Sequence, residues 1–542
     1  MKEYLEQLVK DSLAQFELEE IPEIHLEAPK VASHGDASTN IAMMLAKPLR
    51  NNPRAIAQQL VEGITYDVGK ISSIEIAGPG FINFRYANNY LYDQLKSIIE
   101  QGADFGKTNS NEGKKVQIEF VSANPTGPLT VGHGRNAVLG DTIARLMEWT
   151  GAEVDREYYF NDAGRQMRVL GQSVKARYLQ ELGREAEFPE GGYEGEYIVD
   201  IAKELIKEKG DVLSTADDWI PFKERAEEEI FADISGTLKR MNIHMDSYFN
   251  EHSLYESGDI ESVVSKLREK GLAYDAEGAT WFKTTEFGKE KDTVLIKSTG
   301  EPTYRLPDIA YHANKLDRGY DVCIDIFGAD HIATYPDVLS GLTALGYDSS
   351  KIDVVVYQFV TIVKDGQPFK MSTRKANFVT LDELMEEVGS DVTRFFFLMR
   401  SPNTHLEFDI AQAKEAGEKN PVFYLQYAHA RICSILRKAK EEYSFSGDAN
   451  LKLLTHEAEI SLLKTVFKFP EAIKSAADAK EPHRVINFLN DVASAFTTFY
   501  HDCRIIGVEK ELAQARIALA SVTAQVLKNG LTILGITAPE RM

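Results

Sequence analysis

Hydrophobic and polar residues alternate in three different ways along this chain of 542 residues. Up to about residue 110, amphipathic helical segments at 1–16, 39–49 and 53–63 accompany two short strands. A Gly-Pro-Gly turn at 78–80 joins these strands in the stretch IEIAGPGFINFRY. Mixed helical and alternating periodicity of this kind predicts an N-terminal α+β domain over residues 1–110.

From about residue 111 to residue 400 the pattern changes to apolar strands separated by helices. VQIEFVSA, VCIDIFGA and KIDVVVYQFV are short, mostly apolar runs, which is typical of strands buried in a parallel sheet. We therefore expect a Rossmann-like α/β domain over 111–400, with an acidic, glycine-containing insertion on its surface at about 185–250. Long helical patterns follow, and they predict an all-α helical bundle over 401–542.

Composition narrows the classes of function. Lys and Arg number 61 and Asp and Glu 83, so the net charge of −22 excludes indiscriminate binding to phosphate backbones and suits a cationic substrate. No apolar run approaches the roughly 20 residues of a membrane span, and the N-terminus lacks a signal-peptide core, so we expect a cytoplasmic protein without membrane contact. Cys323, Cys433 and Cys503 form no C-x-x-C pair, so we expect buried reduced thiols, no zinc and no disulfide.

The first stretch that carries chemistry follows the strand VQIEFVSA. A glycine-bearing turn, NPTGP, leads into TVGHGR at the start of an amphipathic helix. Unpaired backbone N–H groups and the helix dipole make such a helix start an anion site. Gly132 and Gly134 allow a ligand to approach closely, and His133 can donate a hydrogen bond to phosphate. The alternative is a strand-to-helix turn with a solvated histidine.

A second stretch is basic. After the strand VVVYQFV and an Asp-Gly hairpin turn, the loop FKMSTRKANFVTLDEL carries Lys370, Arg374 and Lys375. Thr380 and Glu383 have the spacing of a capping box that starts the next helix. A basic loop held between ordered elements can close over a polyphosphate, although such clusters are more often solvated surface.

Together the two stretches resemble the paired signatures of class I aminoacyl-tRNA synthetases, His-x-Gly-His and Lys-Met-Ser-Lys-Ser. Further stretches, in chain order, narrow the resemblance to arginyl-tRNA synthetases: IEFVSANPTGPLTVGHGRNAVLGD, EYYFNDAG, TYRLPDIAYH, GADH, FKMSTRKANFVTLDEL, NPVFYLQYAHARI and the terminal LGITAPERM. Nearly the whole chain is covered. HGDASTNIAMMLAK and AGPGFINF are similar to the family's N-terminal domain, which contacts the elbow of the tRNA.

The resemblance implies ligation of L-arginine to its tRNA through an arginyl-adenylate, with ATP and Mg²⁺ as the substrate complex and a monomeric enzyme. It assigns catalysis to His133, Thr130 and Lys370; ATP binding to Gly132, His133, Gly134, Gly328, Asp330, His331, Lys370, Met371 and Ser372; arginine binding to Glu119, Asn124, Tyr304 and Asp308; and tRNA binding to Tyr427 and Arg431. It implies no metal site formed by the protein.

Other interpretations of these residues stay open. Glu119 could be an outward strand residue, but an unpaired carboxylate in a short buried run is costly. Asp308 could merely cap the helix that begins IAYHANK. Tyr427 and Arg431, four positions apart, could be ordinary helix surface, although aromatic and Arg side chains also suit the anticodon bases.

The sequence departs from the family signatures at three positions. Thr130 replaces the first histidine, Thr373 the second lysine, and Ala376 a usual glycine. A hydroxyl has less reach than imidazole and cannot become cationic, so phosphate stabilisation is expected to be weaker. Thr130 leaves open a catalytically slow paralogue that binds tRNA or arginine; another nucleotidyltransferase would not need the two flanking domains.

Overall fold

The computed structural model describes residues 1–16, 18, 20–29, 31–369, 378–417, 419–443 and 449–542. Its α-helices are α1 (Lys2–Leu13), α2 (Ile41–Leu45), α3 (Pro53–Gly63), α4 (Asn88–Gln101), α5 (Val131–Trp149), α6 (Gly164–Glu181), α7 (Glu196–Lys209), α8 (Ile220–Arg240), α9 (His252–Glu256), α10 (Asp259–Glu269), α11 (Arg305–Asp317), α12 (Tyr335–Leu345), α13 (Leu381–Val388), α14 (Ser390–Leu398), α15 (Ile410–Ala413), α16 (Pro421–Glu442), α17 (Glu457–Phe467), α18 (Phe469–Ala479), α19 (His483–Asp502) and α20 (Lys510–Ile533). Its strands are β1 (Ala37–Thr39), β2 (Ile71–Ala77), β3 (Phe81–Tyr86), β4 (Lys115–Glu119), β5 (Glu153–Phe160), β6 (Ser247–Asn250), β7 (Ala273–Ala276), β8 (Ala279–Phe282), β9 (Thr293–Ile296), β10 (Val322–Gly328), β11 (Ile352–Tyr357), β12 (Val360–Lys364), β13 (Gln367–Pro368) and β14 (Leu406–Asp409). No helix among these residues is both long enough and apolar enough to span a bilayer.

The chain divides into two compact units. The first comprises Met1–Phe105, Ile432–Lys468 and Asp491–Val526, and the second comprises Gly106–Arg431, Phe469–Asn490 and Leu527–Met542.

In the first unit, an antiparallel sheet with strand order β1-β3-β2 packs on α2 and α3, and α1 packs on α3. Its core is apolar and buried, with Leu5, Val9 and Phe84 among its members. The same unit includes helices from the C-terminal part of the chain: Lys464 of α17 lies 2.6 Å from the Asp36 carboxylate.

The second unit is built on a five-stranded parallel sheet with strand order β11-β10-β4-β5-β6. The chain enters the sheet at β4, adds β5 and β6 on one side, and then crosses to the other side for β10 and β11. This is the doubly wound arrangement, whose ligands bind beyond the carboxyl ends of the strands where the direction of winding switches. In this sheet the switch lies between β4 and β10.

Several local predictions are confirmed. The helix at Pro53–Gly63 and the two strands joined at 78–80 have the predicted bounds or nearly so. The hairpin between β12 and β13 turns at Asp365 and Gly366, both with positive φ, which is the geometry that an Asp-Gly pair favours.

Other predictions are wrong. The helix expected over 39–49 is confined to Ile41–Leu45: Thr39 belongs to strand β1, which pairs with β3, and a turn follows Leu45. The surface insertion does not extend to residue 250, since Ser247–Asn250 forms the edge strand β6 of the main sheet. Cys323 and Cys503 are buried as expected, but Cys433 is only half-buried.

Candidate active site

Three carboxylates form a row across the sheet at the switch point. Asp325 of β10 is the register partner of Glu119 at the end of β4, and Glu119 is the partner of Glu157 in β5. All three side chains are buried. Acidic residues directly opposite one another on adjacent strands repel, so this row requires cations close by.

Helix α11 and the residue after it supply these cations. Lys315 Nζ lies 2.6 Å from Glu119 Oε2 and 2.6 Å from Asp325 Oδ1, and the Arg318 guanidinium donates to Glu157 at 2.7 Å. Glu119 is therefore not an outward strand residue: it is buried and paired with Lys315. Burial by itself would lower the pKa of Lys315, but the two carboxylates outweigh burial and raise it.

His312 completes the network around Asp325. Its Nε2 lies 2.8 Å from Asp325 Oδ2 and its Nδ1 lies 2.7 Å from the backbone oxygen of Asp308. Ligand atoms of Glu119, His312 and Asp325 lie within 4.8 Å of one another, a spacing that would also suit a metal ion. The Lys315 ammonium, bonded to both carboxylates, supplies the positive charge at this place instead.

Two further carboxylates have no cationic partner among the described residues: Asp308 in the first turn of α11 and Glu251 after β6. Burial is the main reason that the pKa of Asp308 is raised to about 7. His312 and Lys315 oppose this rise, whereas the charges of Glu119 and Glu251 add to it. Because α11 already begins at Arg305, with Tyr304 as its N-cap, Asp308 is not the helix cap considered above.

Glu251 is held by polar neighbours and was missed in the sequence. The hydroxyl of Tyr159 donates to its Oε2 at 2.7 Å, and Asn161 Nδ2 donates to its Oε1 at 2.7 Å. Both donors lie in the EYYFNDAG stretch, but nothing in the sequence around Glu251 signals that it faces them.

The other two residues predicted to bind arginine have different surroundings. Asn124 Oδ1 accepts the backbone N–H of Asn161 at 3.0 Å, and its Nδ2 donates to Gln166 at 2.9 Å, so Asn124 holds the segment that carries Asn161. The Tyr304 side chain is 83% exposed. The structure therefore brings Glu119 and Asp308 together with Glu251 around one acidic site, with Asn124 connected through Asn161 and Tyr304 open to solvent at the start of α11.

The start of α5 is a reciprocal capping box between Thr130 and His133. Thr130 Oγ1 accepts the His133 backbone N–H at 3.3 Å, and His133 Nδ1 accepts the Thr130 backbone N–H at 3.2 Å. A neutral imidazole that accepts at Nδ1 carries its proton on Nε2. Burial lowers the pKa of His133, which favours this neutral form.

A short β-bridge ties this helix start to the residues after the basic loop. Thr130 pairs with Thr380, and the Leu381 N–H donates to the Leu129 carbonyl at 2.7 Å. Thr380 and Glu383 form the predicted capping box of α13, and Gly389 ends that helix. The starts of α5 and α13 are therefore connected. The predicted residues Lys370, Met371 and Ser372, like Thr373 and Ala376, lie outside the described residues.

The two glycines of TVGHGR differ in their surroundings. A Cβ on Gly132 would meet nothing closer than Thr130 Oγ1 at 3.6 Å, so space remains beside it. On Gly134 it would lie 2.5 Å from a Leu381 methyl carbon and 3.0 Å from the Phe397 ring. Packing of α5 accounts for Gly134, rather than the close ligand approach that the sequence suggested.

The predicted ATP residues of GADH lie just beyond β10, beside the switch point. Gly328 ends the strand, and Asp330 and His331 follow in a short 3₁₀ turn with exposed side chains. The His331 ring stacks on Phe327 with ring centroids 5.5 Å apart. A Cβ on Gly328 would lie 2.4 Å from Asp330 Oδ1, so this turn requires glycine or a displaced aspartate.

Comparison with known proteins identifies this arrangement. Family models match residues 3–86 as the arginyl tRNA synthetase N terminal domain, 94–397 as the catalytic domain of class I (R) tRNA synthetases, and 425–542 as the DALR anticodon binding domain. A relative from Salinibacter ruber named arginine–tRNA ligase is 56% identical, and the match covers 100% of both chains. The chain belongs to the arginyl-tRNA synthetase family. The family and the fold class predicted from the sequence are therefore confirmed.

Other members of the family give the same picture. A relative from Desulfotalea psychrophila, also named arginine–tRNA ligase, is 52% identical over 95% of this chain and 94% of its own. The arginyl-tRNA synthetase structure from Thermus thermophilus superimposes with a TM-score of 0.78 over 100% of both chains at 22% identity, which supports the fold alone. Membership of the arginyl-tRNA synthetase family removes the alternative of an unrelated nucleotidyltransferase.

The two predicted tRNA-binding residues lie on α16, which includes the start of the arginyl-tRNA synthetase family's anticodon-binding match. Tyr427 is 40% exposed and stacks on Phe423 with ring centroids 6.2 Å apart. Arg431 is exposed one turn further along. An exposed aromatic ring followed by a guanidinium one turn later suits a splayed base and its phosphate.

Replacing Thr130 tests whether its hydroxyl serves as a helix cap. Thr130→Val removes the acceptor for the His133 N–H and is expected to lower the free energy of unfolding by about 1 kcal/mol, whereas Thr130→Ser keeps the acceptor and should unfold like the wild type. Urea unfolding followed by circular dichroism measures both. Equal stability of the valine and serine variants would show that the cap contributes nothing.

Proposed function

We infer that this chain ligates L-arginine to its cognate tRNA with ATP, through an arginyl-adenylate. The observation that carries this inference is a pair of carboxylates beside the switch point of the sheet, Asp308 and Glu251, which have no cationic partner in the part of the chain that the structure describes. A guanidinium has five fixed donors and a permanent charge, which two acidic side chains can match. The net charge of −22 is consistent with a cationic amino-acid substrate.

In the first step, an oxygen of the arginine carboxylate attacks the α-phosphorus of ATP. The bond from that phosphorus to the bridging oxygen of pyrophosphate breaks, which gives arginyl-adenylate and pyrophosphate. The protein needs to align the two substrates and to stabilise charge on the phosphate oxygens. We propose that His133 Nε2–H donates to these oxygens, because its Nδ1 is occupied by the Thr130 N–H. Lys370 is proposed as a cation that stabilises charge on the phosphates.

The nucleotide is proposed to enter as the Mg²⁺ complex of ATP. Space beside Gly132 and the turn at Gly328, Asp330 and His331 support a nucleotide site between α5 and the end of β10. Met371 and Ser372 remain part of the proposed ATP site through their position in the signature, whereas Gly134 serves the packing of α5 beside it. No zinc is proposed.

For arginine, Asp308 is the proposed partner of the guanidinium. Glu119 already accepts from Lys315 and from Ser122 Oγ, but each of its oxygens keeps a lone pair for a substrate donor. Asn124 and Tyr304 are proposed to complete the site, the first by holding Asn161 and the second by folding over the substrate from its exposed position. We add Glu251 to the proposed arginine-binding residues because of its position in the structure.

In the second step, a hydroxyl of the terminal adenosine of tRNA attacks the carbonyl carbon of the adenylate, and AMP leaves with the bonding electrons. We propose that Tyr427 and Arg431 bind the anticodon stem-loop and that the N-terminal domain contacts the tRNA elbow. Domain boundaries near residues 110 and 400, a monomeric enzyme and a cytoplasmic location without membrane contact belong to the same proposal.

Aminoacylation of total tRNA with each amino acid in turn tests the proposal. The full chain, with ATP and Mg²⁺, should attach arginine alone and release pyrophosphate in proportion. Attachment of another amino acid would overturn the substrate assignment. Arginine and tRNA binding without any pyrophosphate release would instead support the slow paralogue that Thr130 leaves open.

The raised pKa of Asp308 predicts a pH dependence of arginine use. A carboxyl with a pKa of about 7 is mostly ionised at pH 8 and mostly protonated at pH 6, and only the ionised form pairs with a guanidinium. We expect kcat/KM for arginine to fall about tenfold from pH 8 to pH 6. The ratio of kcat/KM for the wild type to that for Asp308→Asn is taken at each pH. Titration of ATP and tRNA cancels in this ratio, because these groups titrate equally with both proteins. If both proteins give the same profile, Asp308 does not titrate in this range.

A further inference from the structure

Helix α11 presents ionisable side chains to the sheet at a helical spacing. Asp308, His312 and Lys315 follow one another at intervals of four and three positions, so they lie on the same face of the helix. Arg318 continues this face just beyond the end of α11. The face lies over the carboxylate row, which we define as Asp325, Glu119 and Glu157.

Lys315 is buried completely, with no exposed surface, and so is Asp325. Its ammonium is the group that bonds β4 to β10 through their side chains, since it contacts the last residue of β4 and its register partner in β10. An ammonium buried at this depth is tolerated only with well-placed carboxylates around it. Its two contacts fix the end of α11 against the switch point of the sheet.

His312 adds a second positive charge. The two ring nitrogens face a backbone carbonyl oxygen and a carboxylate oxygen, which are both acceptors. A neutral imidazole carries one N–H and could satisfy one of them, so the geometry favours the imidazolium or a proton shared with Asp325. The pKa of His312 is raised in agreement: burial and Lys315 lower it, but the charges of Asp325 and Glu119 prevail.

The charges of this network balance. His312, Lys315 and Arg318 contribute three positive charges, and the carboxylate row contributes three negative charges. Asp308, on the same face of α11, is left outside these pairs. His312 connects this network to Asp308 through its hydrogen bond to the Asp308 backbone oxygen.

We propose that Lys315 and His312 are positioning residues for arginine recognition, which neutralise Glu119 and Asp325 so that the substrate guanidinium is directed to Asp308. This inference rests on the proposed function. Without Lys315, Glu119 and Asp325 would compete with Asp308 for the substrate's cations, and α11 would lose its fixed distance from β4 and β10. Lys315 and His312 act through their neighbours and need not touch the substrate.

Chemical rescue of Lys315→Ala tests the proposal. The variant lacks three methylene groups and the ammonium, a volume that propylammonium can refill. We expect kcat/KM for arginine to fall about 100-fold, through a rise in KM, while KM for ATP stays within about threefold. Propylammonium should raise kcat/KM of the variant at least about tenfold. Propan-1-ol, which has a similar size but no charge, should raise it little.

Arg318→Gln is the matched control. Arg318 lies one turn beyond Lys315 and pairs with Glu157, the carboxylate of the row that Lys315 does not contact. Glu157 keeps the hydrogen bonds from Gln117, Ser247 and Tyr311 in this variant, so we expect its KM for arginine to rise by less than about threefold, far less than in Lys315→Ala. An unchanged arginine KM in folded Lys315→Ala, or equal rescue by propylammonium and propan-1-ol, would overturn the proposal.

His312→Gln keeps the proposal testable if Lys315→Ala does not fold. Glutamine can still donate to Asp325 but carries no charge, so KM for arginine should rise at least about tenfold with KM for ATP unchanged. An unchanged arginine KM in this variant would contradict the assigned role. The wild type in the same assay distinguishes failure of the proposed function from failure of the positioning roles. If the wild type attaches no arginine to tRNA, the proposed function is wrong. If the wild type charges tRNA normally and the variants do too, the positioning roles alone are wrong.

Discussion

Replacing Asp308 by asparagine is expected to lower kcat/KM for arginine by about 100- to 1,000-fold while KM for ATP changes by less than about threefold. The substitution keeps the shape of the side chain and removes one negative charge. Its effect should be large because Asp308 is a carboxylate without a cationic partner among the described residues, in a site where Lys315 and His312 are already engaged by Asp325 and Glu119.

Substrate analogues sharpen this experiment. Citrulline has the length of arginine but no charge, so the wild type should reject it by about 100- to 5,000-fold, because binding it would leave a buried carboxylate without a partner. Lysine has the charge without the planar fork and should also be rejected, since it cannot make the second parallel hydrogen bond. In Asp308→Asn the preference for arginine over citrulline should shrink.

Asp317→Asn provides the control for this substitution. It makes the same chemical change at the other end of α11, where the exposed carboxylate accepts a hydrogen bond from Tyr347 at 2.9 Å. Steady-state aminoacylation with arginine, lysine and citrulline should give wild-type values for this control. A preserved preference for arginine in Asp308→Asn would place the guanidinium elsewhere, with Glu251 as the next carboxylate to replace.

The architecture of the site could be predicted because its parts are local in sequence. The local pattern of residues predicts the strand VQIEFVSA, the glycine-bearing turn after it and the helix N-terminus at Thr130. The capping box at Thr380 and Glu383 was equally legible, since its partners are three positions apart. Even the placement of Asp308 near the start of a helix followed from its context, although the helix begins three residues earlier.

What the sequence could not predict depends on contacts between distant segments. Lys315 and Glu119 are 196 positions apart, and the pairing of Glu119 follows from the strand order, which places β10 beside β4. Glu251 was missed because its hydrogen bonds to Tyr159 and Asn161 span about 90 positions. The reciprocal hydrogen bonds between Thr130 and His133 were missed for a different reason: one of them uses the backbone N–H of Thr130, which the side-chain inventory of a motif does not include.

The second large effect is expected for His133→Ala, which should slow adenylate formation by about 100- to 1,000-fold. His133 stands at the N-terminus of α5 with Nδ1 occupied by the Thr130 N–H, so its Nε2–H is the donor that remains for a phosphate oxygen. A donor of this kind acts when charge develops on the phosphates, and its loss should lower kcat more than it raises KM for ATP. Single-turnover pyrophosphate release with saturating arginine and tRNA measures this step.

The pH profile of the defect and a control histidine variant test whether the loss of rate is specific to His133. Because burial lowers the pKa of His133, the residue is neutral at and above pH 7, and the defect of His133→Ala should stay constant from pH 7 to pH 9. His244→Ala removes an exposed histidine of the same unit and should leave the rate unchanged.

The first-step rate of Thr130→Val shows how far the activity of His133 depends on its cap. The valine variant retains the backbone N–H that fixes the imidazole, so it should lose far less activity than His133→Ala. A folded His133→Ala enzyme within about twofold of the wild type would show that phosphate stabilisation comes from other donors.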